Sequence, residues 1–153
     1  MRIYILGQSG SGKTTFASAL SKKLNTPHIE LDTIWHKYDG DRERFKKEVF
    51  EKVQTKDWVA DGKHKTVRKE LMEMADLIIY SDFSLGRSVI NNIKRGAKYN
   101  EPPFKFLGHL LKVIREFYPT KTKIGLELNA HSGKTKVLRS FKEIDQFLQS
   151  YGE

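Results

Sequence analysis

Short apolar runs alternate along the chain with stretches of helical periodicity. Arg2 to Leu6 is a compact apolar run, the pattern of a buried strand. From Lys13 to Leu24 the spacing turns helical, with Phe16, Leu20 and Leu24 four apart, and Asn25-Thr26-Pro27 ends that helix. His28 to Leu31 predicts a second strand closed by Asp32, and Thr33 to Gly40 reads as loop or irregular helix. Asp41 can cap a helix to about Gln54 that places Phe45, Val49 and Val53 on one face. Trp58-Val59-Ala60 predicts a third strand ending at Asp61-Gly62, Val67 to Met74 a short helix, and Leu77 to Ser81 a fourth strand. Ser84 caps a helix from Leu85 to about Arg95.

Past that point the pattern loosens. Gly96 to Phe104 contains Pro102-Pro103 and cannot be one helix. Lys105 to Phe117 regains helical spacing, with Phe106, Leu110, Val113, Ile114 and Phe117 on one broad face, and Pro119 is expected to stop it. Lys121 to Leu128 predicts another short helix, Lys136-Val137-Leu138 a fifth strand, and Phe141 to Leu148 a closing helix. Strictly alternating strands and helices imply a parallel sheet with helices on both faces. At 153 residues the chain is expected to form one domain, 1–153.

Between the first strand and its helix, Gly7-Gln8-Ser9-Gly10-Ser11-Gly12-Lys13-Thr14 fits G-x-x-x-x-G-K-[ST] without a mismatch. Glycines at 7, 10 and 12 let backbone N–H groups converge on a phosphate, and the helix behind them directs its N-terminal dipole at the anion. Lys13 can then reach the β- and γ-phosphates, the Thr14 hydroxyl can ligate Mg²⁺, and Thr15 can touch the α-phosphate. The second Ser-Gly-Lys-Thr, residues 132–135, has Leu128 in place of the upstream glycine and precedes a strand, so it reads as an ordinary turn. Such a loop needs acidic groups at neighbouring strand ends, to hold the metal's water shell and orient an acceptor. Asp32 and Asp61 end predicted strands, beside the crevice where open parallel sheets bind ligands. Each could instead be only a cap or turn aspartate. No N-K-x-D guanine-reading motif occurs, which favours ATP over GTP.

Charge adds a partner class. Of a net charge of +9, +7 falls between Ser84 and Ile124, nine basic residues against two acidic ones. An anionic small molecule is the expected partner; nucleic acid bound through the basic 84–124 segment, with Tyr99, Phe104, Phe106 and Tyr118 interleaved, is the alternative. A solvated basic face is the bland reading. The absence of cysteine excludes disulfide, thiolate–zinc and iron–sulfur chemistry, and the five histidines show no metal-ligand spacing. No apolar run approaches the ~20 residues that span a bilayer, and the apolar opening is too short for a signal peptide. A soluble cytoplasmic protein, monomer or homodimer, is expected. Trp35 can touch substrate or join the core; Trp58 reads as core.

Gly7–Thr15, Leu31-Asp32-Thr33-Ile34-Trp35, Trp58-Val59-Ala60-Asp61-Gly62, Ala75–Tyr80 and Val137-Leu138-Arg139-Ser140, in that order, resemble the small P-loop proteins known as DNA-topology-modulation or adenylate-kinase-related proteins. The likeness covers nearly the whole chain and is loosest from 96 to 130. More broadly the pattern is similar to adenylate, shikimate and gluconate kinases. The resemblance implies a three-layer P-loop NTPase fold, with a five-stranded parallel sheet of order 2-3-1-4-5 and a helical lid at 96–130. It implies ATP and Mg²⁺ as cofactors and phosphoryl transfer to a small-molecule acceptor.

Carried over by residue, it places Gly7 to Thr15 (with Gln8, Ser9 and Ser11 among them) on the nucleotide. Asp32 goes beside the acceptor and Mg²⁺, and Asp61 in the role of the carboxylate that orders metal-bound water. Arg87 becomes a base or phosphate contact, Arg95 and Arg115 lid arginines, and Arg139 part of the base-contacting loop. Trp35, His36, Lys63 and Arg68 would line the acceptor site. Arg68 stands in for the monophosphate-binding arginine, Lys63-His64 replace the Asn-Tyr common in the related proteins, and the lid is rich in lysine rather than arginine. A nucleic-acid-associated ATPase or polynucleotide-end kinase and a slow NTP-hydrolysing switch are the competing readings.

Overall fold

The structure is a computed structural model that describes residues 1–98 and 102–151. Five strands form one parallel sheet: β1 (Arg2–Gly7), β2 (His28–Glu30), β3 (Trp58–Asp61), β4 (Leu77–Ser81) and β5 (Thr135–Leu138), in the order β2-β3-β1-β4-β5. Central β1 is buried on both faces, and its period-two alternation supplies two separate cores. Tyr4 and Leu6 point into the layer built from α2 (Leu31–Lys37), α3 (Arg42–Lys52), α4 (Lys65–Met74) and the end of α6 (Pro103–Asn129). Ile3 and Ile5 point into the other, under α1 (Lys13–Leu24) and α7 (Phe141–Gln149). This is the three-layer arrangement expected. Trp58 is fully buried in the first core.

Local signals set the helix starts. Asp41 accepts hydrogen bonds from the N–H groups of Glu43 and Arg44 and so caps α3, and Ser140 accepts one from Glu143 at the start of α7. The Ser84 hydroxyl accepts one from the Arg87 N–H as α5 (Leu85–Lys98) begins. Ser132–Lys134 forms a single 3-10 turn before β5, the expected ordinary turn.

Two expectations need correction. Thr33 to Lys37 is regular helix within α2, which begins directly at the end of β2, so Asp32 sits in a first helical turn rather than after a strand. Pro119 does not stop a helix; α6 runs unbroken through it for 27 residues. Pro119 lacks its own N–H and its ring crowds the carbonyl one turn back, a local cost that burial of Val113 and Phe117 before it and of Ile124 and Leu128 after it offsets. The buried Gln8 amide also donates to the Phe117 carbonyl at 3.1 Å, tying the helix at this point to the glycine-rich loop.

The stretch expected as a lid, 96–130, is the end of α5 and the whole of α6; its residues 99–101, Tyr99 among them, lie outside the described residues. Gly96 of α5 abuts the Phe106 ring of α6, and Asn92 meets His109 at 3.2 Å. These successive contacts make the two helices antiparallel.

Candidate active site

The glycine-rich loop joins β1 to α1. Gly10 and Gly12 have φ of 77° and 74°, in the left-handed region that favours glycine. A Cβ at Gly10 would lie 2.6 Å from the Asn92 amide nitrogen and 2.8 Å from the Ser88 carbonyl oxygen. The loop is therefore held against α5 as tightly as its backbone allows. Two hydrogen bonds fix the contact: Asn91 Nδ2 donates to the Gly10 carbonyl at 2.7 Å, and Ser9 Oγ donates to Asn92 Oδ1 at 3.1 Å. Within the loop, Ser11 is fully buried.

A cavity of about 480 Å³ opens over this loop. It is lined by Ser9, Gly10 and Gly12 through Thr15 of the loop and the start of α1, by Asp32, Lys63 and Arg95, and by Phe141, Ile144, Asp145 and Leu148 of α7. Lys13 Nζ donates to the Gln8 carbonyl at 2.9 Å, which curls its ammonium back over the loop. Burial pulls that ammonium down to about 8, with Asp32 and Asp61 pulling the other way. Burial likewise lowers the Lys63 ammonium from its ordinary value. Desolvated cations of this kind gain most from a multiply charged anion between them.

Asp61 is 2% exposed, and both of its oxygens are engaged. Oδ2 accepts from the Thr14 hydroxyl at 2.8 Å, and Oδ1 lies 2.7 Å from His28 Nε2. A hydroxyl and a carboxylate in contact beside an anion cradle are hard oxygen donors suited to Mg²⁺, whose remaining positions phosphate oxygens and water would fill. Among the described residues no group of three or more acidic, histidine or cysteine side chains could hold a metal without such help. Asp32 is paired with His64, Oδ1 to Nε2 at 2.7 Å, and this bond holds its carboxyl below the ordinary range. The His64 ring is in turn packed against Trp35 and Phe45. Tyr4 anchors the turn after β3 by donating to the Gly62 carbonyl at 2.8 Å.

A second cavity of about 590 Å³ adjoins the first. Glu30, Thr33, His36 and Lys94 line it, and it shares Thr14, Thr15, Asp32 and Arg95 with its neighbour. The loop residues, Asp32, His36, Lys63 and Arg95 thus converge on one crevice, with Asp61 beneath Thr14. Trp35 stands behind it as a wall for His64.

Three arginines lie elsewhere. Arg68 is buried and makes a two-pronged pair with Glu127, Nε to Oε2 at 2.6 Å and Nη2 to Oε1 at 2.7 Å, which commits it to joining α4 to α6. Arg115 is exposed, paired with Glu116 at 3.8 Å, and lines a surface groove on α6 instead of the crevice. Arg139 is exposed at 3.9 Å from Asp82. Arg87 also lines neither cavity; its guanidinium stands 5.8 and 5.7 Å from the centres of the Phe83 and Phe141 rings.

Asn91, Asn92, His28 and Phe141 enter the site without having been expected there. The adjacent asparagines in an otherwise amphipathic helix were the readable signal for the first two. His28 shows none, because only strand pairing brings β2 beside β3.

Comparison with known proteins agrees with this architecture. Residues 3–68 match the ATPase family associated with various cellular activities (AAA). A 51-residue stretch is 45% identical to a shikimate kinase of Bacteroides thetaiotaomicron; it makes up 33% of this chain and spans only 26% of that enzyme. Among solved structures, shikimate kinase from B. thetaiotaomicron superposes with a TM-score of 0.59 at 16% identity, over 98% of this chain and 95% of its own. A deoxyadenosine kinase from M. mycoides with bound dATP does so at 0.57 and 16%, over the whole of both chains. Fold and loop together define a three-layer α/β P-loop NTPase fold, in the form these small-molecule kinases share. No described helix is long and apolar enough to cross a membrane.

Proposed function

We propose that the protein is an ATP-dependent phosphotransferase that moves the γ-phosphoryl group to a hydroxyl of a small anionic acceptor, close to the adenylate-kinase-related and topology-modulation-like proteins in type. The observation that carries this reading is the pair of adjoining cavities with Thr14, Thr15, Asp32 and Arg95 at their common boundary. A nucleotide hydrolase needs one chamber; a transferase needs two that meet at the phosphate.

On this reading the glycine-rich loop and Lys13 grip the polyphosphate, and the Phe141–Leu148 side takes the base. Thr14 and Asp61 hold Mg²⁺, which when bound neutralises charge on the phosphates. The acceptor occupies the second cavity, its anionic part met by Lys94 and His36 and its hydroxyl by Asp32. His64 keeps the Asp32 carboxylate ionised and aimed, so that it can accept the hydroxyl proton. Arg95, at the boundary, stabilises the charge of the group in flight. The α5–α6 hairpin serves as the lid, and the bonds from Asn91 and Asn92 to the loop couple its position to phosphate binding.

The test is a screen of nucleoside monophosphates, sugar phosphates and small hydroxy acids for ADP release with MgATP, alongside the Asp32→Asn variant. The expected result is acceptor-dependent ADP release that falls by about a hundredfold or more in Asp32→Asn with nucleotide affinity kept. Slow ATP turnover that no acceptor stimulates would overturn the proposal in favour of a hydrolysing switch.

A further inference from the structure

The α5–α6 hairpin has a second face, turned away from the crevice. Along α6, Phe104, Leu107, Leu111, Ile114 and Tyr118 follow a strict 3-4-3-4 spacing, and each is between 42% and 75% exposed. That is the narrow seam of a helix that packs on another helix. The buried line of α6 contains Phe117 and Val113, and at about 100° per residue the stripe stands roughly 110° round from it. On α5, Ile90 and Ile93, 53% and 44% exposed, stand round in the same sense, roughly 130° from the buried Ser88, Asn92 and Gly96. Because the helices are antiparallel, equal offsets put both sets on one side of the hairpin. Their exposed area is on the order of 700 Å², above the few hundred Å² of the usual largest monomer patch and near the ~800 Å² that each partner gives to a standard interface.

We infer that this face is where two copies of the chain associate, through an antiparallel α6–α6 contact centred on Leu111. The ends of the stripe are equidistant from that residue: Phe104 and Tyr118 each lie seven positions away, with Leu107 four before it and Ile114 three after it. A two-fold axis there sets Leu111 against its counterpart and Phe104 of one copy against Tyr118 of the other. The Gly96–Phe106 and Asn92–His109 contacts put Ile90 and Ile93 level with the middle of the stripe. The same axis therefore sets the Ile90 and Ile93 patch of one copy beside that of the other.

Gly108 leaves open space at the floor of the groove, where a partner side chain can enter. Lys112 and Arg115 border the groove at its outer edge. In the paired arrangement these cations gather on one solvent-exposed rim, so salt should strengthen the dimer. An acidic partner, a nucleic acid or an anionic membrane would show the opposite trend. Lys94 and Arg95 lie on the other flank of α5, toward the crevice.

Sedimentation equilibrium of the full chain across the micromolar range tests this directly. Wild type is expected to approach twice 17.8 kDa, with association unchanged or tighter as salt is raised. Leu111→Lys is expected to weaken association by at least about tenfold while leaving the thermal transition of the monomer in place, because the residue is exposed. The protein has no cysteine, so Leu111→Cys supplies a unique thiol. Under mild oxidation it should form a covalent dimer, whereas Lys142→Cys on α7 should not. A wild-type monomer at every concentration would overturn the inference, as would a dimer indifferent to Leu111→Lys. Pelleting of a monomer with phosphatidylserine vesicles in a Leu111-dependent way would also overturn it and assign the face to membrane.

Discussion

His28 Nε2 sits 2.7 Å from Asp61 Oδ1, while the other oxygen of the same carboxylate takes the Thr14 hydroxyl at 2.8 Å. Three elements thereby meet at one buried group: β2 through His28, β3 through Asp61, and the first turn of α1 through Thr14. If Thr14 and Asp61 hold Mg²⁺ as proposed, His28 stands one bond behind the metal ligands, and such partners typically contribute 10–100-fold to metal affinity or activity. His28→Ala is expected to weaken Mg²⁺-dependent nucleotide binding by about tenfold, measured by titration calorimetry, with metal-independent binding changed far less. Equal losses with and without metal would show His28 to be only structural.

Gly10 is the tightest point of the loop. Gly10→Ala places a methyl group in a left-handed conformation and against the backbone of Ser88. The conformational cost alone is about 1–2 kcal/mol. Thermal denaturation should show at least that loss, and nucleotide binding should fall further because the loop must leave Asn91 and Asn92.

Arg68 gives opposite expectations for a structural and a substrate-binding role. Its pair with Glu127 is buried on the arginine side and a third exposed on the other. Arg68→Ala should therefore destabilise the fold by about 2–3 kcal/mol, below the 3–5 of a fully buried broken pair. Chemical denaturation measures this. An unchanged stability together with a raised acceptor KM would instead return Arg68 to the acceptor site.

Asp76 sets part of the acid stability. Its carboxylate accepts from Arg2 Nη2 at 2.6 Å and from the Arg2 backbone N–H at 2.8 Å, and these bonds hold it at about 2. The folded value lies below that of an unfolded aspartate, near ~3.9. The unfolded chain thus binds more protons in between, so the contribution is complete above about pH 4 and is lost as pH falls toward 2. Asp76→Asn should flatten the fall in stability across this window, seen in urea melts at stepped pH. The pair is solvent-exposed, so the effect is expected to be modest.

The strands, the phosphate loop and the placement of Asp61 were legible in the sequence because each is written in local chemistry. Strand burial follows from contiguous apolar residues, and the loop follows from glycines that a phosphate requires. The unbroken α6 was not legible. Proline breaks an isolated helix, and only the burial of Phe117 and Ile124 on either side shows why this one continues. Asp32 was expected at a strand end and lies in a helix, yet it reaches the same crevice, because β2 and α2 join without a loop.

The arginines mark the division most clearly. A guanidinium reaches many partners from one position, so its role depends on which carboxylate or cavity comes near it. Arg95 faces the crevice, Arg68 turns to Glu127, and Arg115 stands at the edge of an apolar groove. Sequence alone determined the sheet, its phosphate cradle and a basic segment beyond the fourth strand. Tertiary structure alone decided which of those cations line the crevice, because contacts between residues far apart in the chain are set by packing and leave no local pattern to read.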